Sequence, residues 1–153
     1  MAYDVEIKDL EQRYVATIRV ETTPDRIGQT FDEVSPELHA QLAEAGVQPP
    51  NPMFAIYHSH DKDHVDMEVG LPLPQPIPTT GRVVGREIPA TRAAVTWHHG
   101  PYGTIGEAFR AVEAWIEKEG LERTGPPWEV YWTSPSEDPD PANWRTEVGY
   151  PIR

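Results

Sequence analysis

Met67-Glu68-Val69-Gly70-Leu71-Pro72-Leu73 and Thr146-Glu147-Val148-Gly149-Tyr150-Pro151-Ile152 are two versions of one segment, 79 residues apart, with Glu, Val, Gly and Pro coinciding. Working outward, the same offset pairs Arg13-Tyr14-Val15-Ala16-Thr17 with Arg92-Ala93-Ala94-Val95-Thr96. An offset of 78 pairs Ile27, Gly28, Phe31, Val34 and Leu38 with Ile105, Gly106, Phe109, Val112 and Ile116. An offset of 75 pairs Met53-Phe54-Ala55-Ile56-Tyr57 with Trp128-Glu129-Val130-Tyr131-Trp132. The matches keep their order, and the offsets change only across loops, where insertions are tolerated. The chain therefore reads as two copies of one unit, repeat one over 3–73 and repeat two over 82–152, joined by a Pro- and Thr-rich linker at 74–81.

Each copy has a legible pattern. Alternating or β-branched runs at 4–8, 13–20, 53–59 and 65–71 predict strands, as do 82–88, 91–99, 128–133 and 144–151. Apolar residues at 27, 31, 34, 38 and 42 recur at helical spacing. Ser35-Pro36 falls inside this helix, and the missing proline N–H predicts a kink or a restart capped by Ser35. Gly46 is the expected stop, and a second helix over about 103–119 should end at Gly120. Ser134–Asn143 reads as an acidic, proline-rich loop. The expected fold is α+β, with duplicated β-α-β-β units related by a pseudo-twofold axis and one main helix per repeat. The sheet should be antiparallel, with a ligand pocket at the seam.

Composition narrows the function. The 153 residues suit one domain, and no cysteine is present, which removes disulfide, iron–sulfur and thiolate chemistry. The N-terminus lacks the apolar core of a signal peptide, and no apolar run approaches the ~18 residues of a membrane helix. A cytoplasmic protein without membrane contact is expected. The formal net charge of −12 argues against direct nucleic-acid binding, which needs clustered Lys and Arg. It suits attraction of cations or of a basic protein surface, or solubility alone. The acidic excess lies mainly in the first half: residues 1–78 hold 5 basic and 14 acidic side chains, and 79–153 hold 8 and 11.

Several motifs in this order resemble the GyrI-like small-molecule-binding domain, also found as the effector-binding part of multidrug-sensing transcription regulators. They are Arg13-Tyr14-Val15-Ala16, His99-Gly100-Pro101-Tyr102, the Ile105-Gly106 to Phe109 helix start, Glu129-Val130-Tyr131-Trp132 and Glu147-Val148-Gly149-Tyr150-Pro151-Ile152. The resemblance covers essentially the whole chain. It implies a central pocket lined by aromatics, in which a glutamate recognises cationic, lipophilic compounds. Glu147 matches that glutamate, and Glu68 stands at the equivalent place in the first copy. The resemblance also implies two further activities seen in stand-alone members: hydrolysis of strained cyclopropane rings in DNA-alkylating toxins, and inhibition of DNA gyrase by protein contact. It begins at residue 3, so no helix-turn-helix segment is expected and direct gene regulation is not.

The candidate ligand-binding residues are Glu147, Glu68, Trp97, Tyr102, Trp128, Tyr131, Trp132, Tyr150 and Tyr57. Aromatic faces attract cations by about 0.5–2 kcal/mol each, although any one of these rings could equally be core. Strand alternation places Glu129 and Tyr131 on one face and Val130 and Trp132 on the other, so both sets cannot line one pocket. Glu147 could face either a pocket or solvent. In an apolar cavity its pKa should rise, fitting it for acid–base work with Tyr131 or Tyr102 as hydroxyl partner. No cofactor is implied. His58, His60 and His64 are weak metal candidates, with His58 and His60 expected on one strand face; a solvated turn accounts for them as well. His98 or His99 could enter the seam or simply end a strand.

Three functions follow. The chain is read first as a stand-alone protein that senses or sequesters lipophilic, aromatic or cationic molecules. The alternatives are a hydrolase of reactive small electrophiles, with Glu147, Tyr131 and Tyr102 as catalytic groups, and a protein–protein inhibitor of a topoisomerase.

Overall fold

The β-branched and alternating segments form strands at nearly the expected places: β1 (Glu6–Leu10), β2 (Arg13–Thr22), β3 (Phe54–His60), β4 (Val65–Leu73), β5 (Val84–Ile88), β6 (Thr91–His99), β7 (Trp128–Tyr131) and β8 (Arg145–Ile152). The helices are α1 (Ile27–Glu44) and α2 (Ile105–Lys118). The computed structural model describes residues 3–48, 52–133 and 138–153, so positions 134–137 of the predicted acidic loop lie outside the described residues. The strand pairings are antiparallel, and the fold is α+β. Among the described residues, no helix is long and apolar enough to cross a membrane.

The chain divides into two compact units. The unit of residues 12–89 has strand order β3-β4-β2-β5, with α1 packed on β2 and β4. The unit of residues 1–11 and 90–153 has order β1-β6-β8-β7, with α2 packed on β6 and β8. Within each unit the strand before the helix lies beside the last strand after it. The outermost strand comes from elsewhere in the chain: β1 pairs with β6, and β5 pairs with β2. β1 thus joins the unit that contains β6, β7 and β8, and β5 joins the unit that contains β2, β3 and β4.

Helix α1 runs unbroken through Pro36, so the restart at Ser35 does not occur. The carbonyl deprived of its partner belongs to Asp32, and Asp32 and Pro36 are both exposed, so water can satisfy it. Thr30, Val34, Leu38 and Leu42 meanwhile bury one face at four-residue spacing, holding the turns together across the defect. Both helices end at the expected glycines, with φ of 72° at Gly46 and 71° at Gly120. Val47 N–H bonds Leu42 O and Leu121 N–H bonds Ile116 O, capping both helices with the same backbone motif. In the second unit Val112 and Ile116 of α2 meet Ala94, Tyr150 and Ile152.

The repeated Glu-Val-Gly has a steric cause. Glu147 and Gly149 share the sheet face away from α2, while Val148 and Tyr150 point to the helix side. A Cβ on Gly149 would come within 2.7 Å of the Trp128 ring and 2.9 Å of Val95 Cγ1. A Cβ on Gly70 would meet Thr17 Cγ2 at 2.6 Å and the Phe54 ring at 2.7 Å. In both units an aromatic ring from the neighbouring strand presses on the glycine, and only a hydrogen leaves room for it.

The registers adjust the repeat by one residue at the second strand. Gly70 faces Thr17 and Gly149 faces Val95, an offset of 78 rather than 79. Thr17 and Thr96, aligned by identity, consequently sit on opposite faces: Thr17 beside Gly70, Thr96 beside Val148.

Candidate functional site

Glu147 sits at the centre of a polar and aromatic cluster on the sheet face away from α2. In register it lies between Trp97 of β6 and Val130 of β7. Alternation from Val130 puts Trp128 on this face too. Trp132, just past β7, reaches Trp97, with ring centroids 6.2 Å apart at 49°. Of the set, Trp132 is the exposed member, at 38%.

The carboxylate is already partnered. Lys8 Nζ, from β1, donates to Glu147 Oε2 at 2.8 Å. The same ammonium stands 5.6 Å from the centre of the Trp97 ring. Arg145, two residues before Glu147 on β8, places its guanidinium 5.4 Å from that ring. The Glu147 side chain keeps 12% exposure and Lys8 37%. Trp97 therefore carries two of the protein's own cations, one from each neighbouring strand. Lys8 and Arg145 were not anticipated from the sequence. Alternation puts Lys8 on one face with Glu6, but its pairing with β6 joins residues more than eighty positions apart, which no local signal records.

The tyrosines lie elsewhere. Glu129 and Tyr131 face the helix side of β7, opposite Val148 and Thr146, and the Tyr131 hydroxyl donates to Glu129 Oε1 at 2.5 Å. Tyr102 packs edge-on against Tyr131 with centroids 5.7 Å apart, and lies tilted at 32° against Trp144 with centroids 4.8 Å apart. Burial, and then the Glu129 charge, raise the Tyr102 hydroxyl above its ordinary pKa. Tyr150 donates to Glu113, and burial, reinforced by that carboxylate, pushes its pKa up strongly. Tyr102, Tyr131 and Tyr150 thus form a set on the far side of the sheet from Glu147. Tyr131 and Tyr102, expected as hydroxyl partners, are not brought to it. An open pocket of about 370 Å³ beside α2 is lined by Glu113, Ile116, Glu117, Leu121 and Arg123 and contains none of the expected site residues.

In the other unit, Glu68 is held more tightly. Arg86 of β5 grips it with two bonds, Nε to Oε2 at 2.8 Å and Nη2 to Oε1 at 2.9 Å. His58 Nε2 lies 2.9 Å from Oε1 and, facing a carboxylate, donates. The side chain is 7% exposed. Burial acts to raise its pKa, but the hydrogen bonds from Arg86, Thr17 and His58 outweigh it and hold the carboxyl below the ordinary range. Tyr57 lies across from Met67, on the opposite face from Glu68, with its ring 6.0 Å from His60.

The three histidines separate. A bulge between Tyr57 and Ser59 breaks the alternation, so His58 and His60 do not share a face. His58 turns to Glu68, His60 to Tyr57, and His64 Nε2 to Glu21 at 2.8 Å. Among the described residues no three His, Asp or Glu side chains gather as metal ligands. His98 is buried and satisfied at a strand end, with Nε2 donating to the Pro101 carbonyl at 2.9 Å and Nδ1 receiving the Tyr3 hydroxyl at 3.0 Å.

The fold has solved counterparts. The C-terminal domain of EcmrR superposes with a TM-score of 0.89 at 23% identity, covering 100% of this chain and 99% of that domain. Against the EcmrR chain solved in an EcmrR–DNA complex, this chain spans 58% of the length. A hydrolase encoded by lin2189 from Listeria innocua matches at TM-score 0.68 and 14% identity, with 99% and 93% coverage. SAV2435, solved bound to tetraphenylphosphonium, matches at 0.63 and 12%, with 100% and 94% coverage. No curated protein sequence matches. Residues 3–153 match the family described as the GyrI-like small molecule binding domain, and the chain belongs to that family.

Proposed function

We propose that this chain binds lipophilic, aromatic or cationic small molecules on the Glu147 face of its sheet, and that it senses or sequesters them. The observation that carries the reading is the contact of Lys8 with both Glu147 and the Trp97 face. A carboxylate and an indole that together seat an ammonium are complementary to a cation. Trp97, Trp128 and Trp132 supply the apolar body of the site. Glu68, gripped by Arg86 and His58, serves the fold rather than the ligand. The tetraphenylphosphonium held by SAV2435 is a ligand of this chemistry. The net charge of −12 favours cations over nucleic acid.

The test is a titration with tetraphenylphosphonium and a panel of cationic dyes, followed by tryptophan fluorescence and thermal shift. Saturable quenching is expected, weakened about tenfold or more by Glu147→Gln. No response to any compound, and no difference between wild type and variant, would end this reading.

The likeness to the Listeria innocua hydrolase supports a second reading, hydrolysis of a reactive electrophile with Glu147 as base. With Tyr102 and Tyr131 on the other face, a catalytic carboxylate here would act on water without them. Turnover of a cyclopropane-bearing compound, followed by mass spectrometry and abolished by Glu147→Gln, is the expected result; binding without turnover returns the first reading.

A further inference from the structure

We infer that Lys8 is a built-in stand-in for a cationic ligand, and that its displacement from Glu147 sets which charges the site accepts. The inference rests on the binding reading above and specifies how that site discriminates.

Lys8 makes both contacts that a bound ammonium would make: 2.8 Å to Glu147 Oε2 and 5.6 Å to the Trp97 ring centre. While it stays there, the carboxylate is neutralised and one contact on the indole is taken. A cationic ligand must replace Lys8 Nζ, whereas a neutral aromatic gains nothing from replacing it. The geometry provides for the exchange. Lys8 is on β1, the outermost strand of its sheet, with 37% of its side chain in solvent. A second carboxylate, Glu6 Oε1, already stands 4.0 Å from Nζ on the same face. Lys8 can move from Glu147 to Glu6 and water without being left unpaired.

The other unit shows what a site that cannot exchange looks like. Arg86 holds the register position on β5 that Lys8 holds on β1, but it binds Glu68 with a two-pronged fork, and His58 joins it. A planar fork fixes a carboxylate in one geometry, while an ammonium is a mobile point charge on a flexible stem. Of the two equivalent glutamates, only the one held by lysine can be vacated at modest cost.

Phenyltrimethylammonium and its neutral carbon isostere tert-butylbenzene separate charge from shape. They would be titrated by tryptophan fluorescence into wild type, Lys8→Met, Lys8→Arg and the double variant Lys8→Met with Glu147→Gln, with circular dichroism confirming each fold. Lys8→Met should bind phenyltrimethylammonium about tenfold tighter than wild type, with tert-butylbenzene affinity changed less than about twofold. Lys8→Arg should bind the cation more weakly than wild type, and the double variant should lose the gain. Equal cation affinity in wild type, Lys8→Met and Lys8→Arg overturns the inference and leaves the binding reading in place. So does binding of tert-butylbenzene alone by every variant. If neither probe binds any variant, the binding reading falls, and the inference with it.

Discussion

Lys8 and Arg86 occupy the same register position in their two units, Lys8 opposite Ala93 and Arg86 opposite Val15, and each donates to the glutamate of that unit's Glu-Val-Gly segment. The two carboxylates are similarly buried, Glu68 7% and Glu147 12% exposed, and the pairs differ in their bonding. Three residues, Arg86, Thr17 and His58, bond Glu68, whereas a single lysine bonds Glu147. Removing the cation should therefore have unequal consequences. Arg86→Met leaves a buried carboxylate and should cost about 3 kcal/mol. Lys8→Met removes one bond, made by a lysine 37% exposed, and should cost about 1 kcal/mol. Urea unfolding of the two variants measures the difference directly, and equal losses would show that the two carboxylates are not held differently.

Glu68 also predicts a pH dependence. Its folded pKa is lowered, so its stabilising contribution is complete above the unfolded value of about 4.3 and is lost as pH falls through the folded value. Unfolding free energy followed from about pH 6 to pH 3 should drop in wild type. The drop should be shallower in Glu68→Gln, which has no proton to take up. Parallel curves would mean that Glu68 is not a source of the acid sensitivity.

Gly149→Ala should destabilise by about 1–3 kcal/mol, because the added methyl meets the Trp128 ring and Val95. Gly28→Ala is the control. It lies in α1 with open space around its Cβ and should stabilise by about 0.5–1 kcal/mol. Thermal melts of both should move in opposite directions, and Gly149→Ala should also shift the tryptophan emission.

The separation of Trp132 and Tyr131 by sheet face has a ligand-binding consequence. Trp132→Phe should remove much of the ligand-induced fluorescence change and weaken affinity about three- to tenfold, while Tyr131→Phe should leave both nearly unchanged. The reverse ranking would move the site to the Tyr102–Tyr131 side of the sheet.

Much of the fold is legible locally. Alternation marks strands to within one or two residues because side chains on a strand point to opposite faces, and both helix ends are announced by glycines that reach positive φ without penalty. The Glu-Val-Gly segment is legible as a repeat, and its cause is close contact between a glycine and a ring. The misleading places are those where one residue changes register. The bulge at Tyr57–Ser59 sends His58 and His60 apart, and the one-residue adjustment at β2 and β6 sets Thr17 and Thr96 on opposite faces. Neither leaves a mark in composition, and Pro36 would mark a break that tertiary packing overrides.

By itself, the sequence determined the α+β class, the elements, the glutamate in each closing strand, and the rule that Tyr131 and Trp132 cannot share a face. Each of these depends on residues a few positions apart. Which of the two shares a face with Glu147, and which cation sits on that glutamate, was decided by the pairing of β1 with β6 and of β7 with β8. Those pairings bring Lys8 and Glu147 together across 139 positions. They are set by which faces can be buried together, and no stretch of the chain carries that information alone.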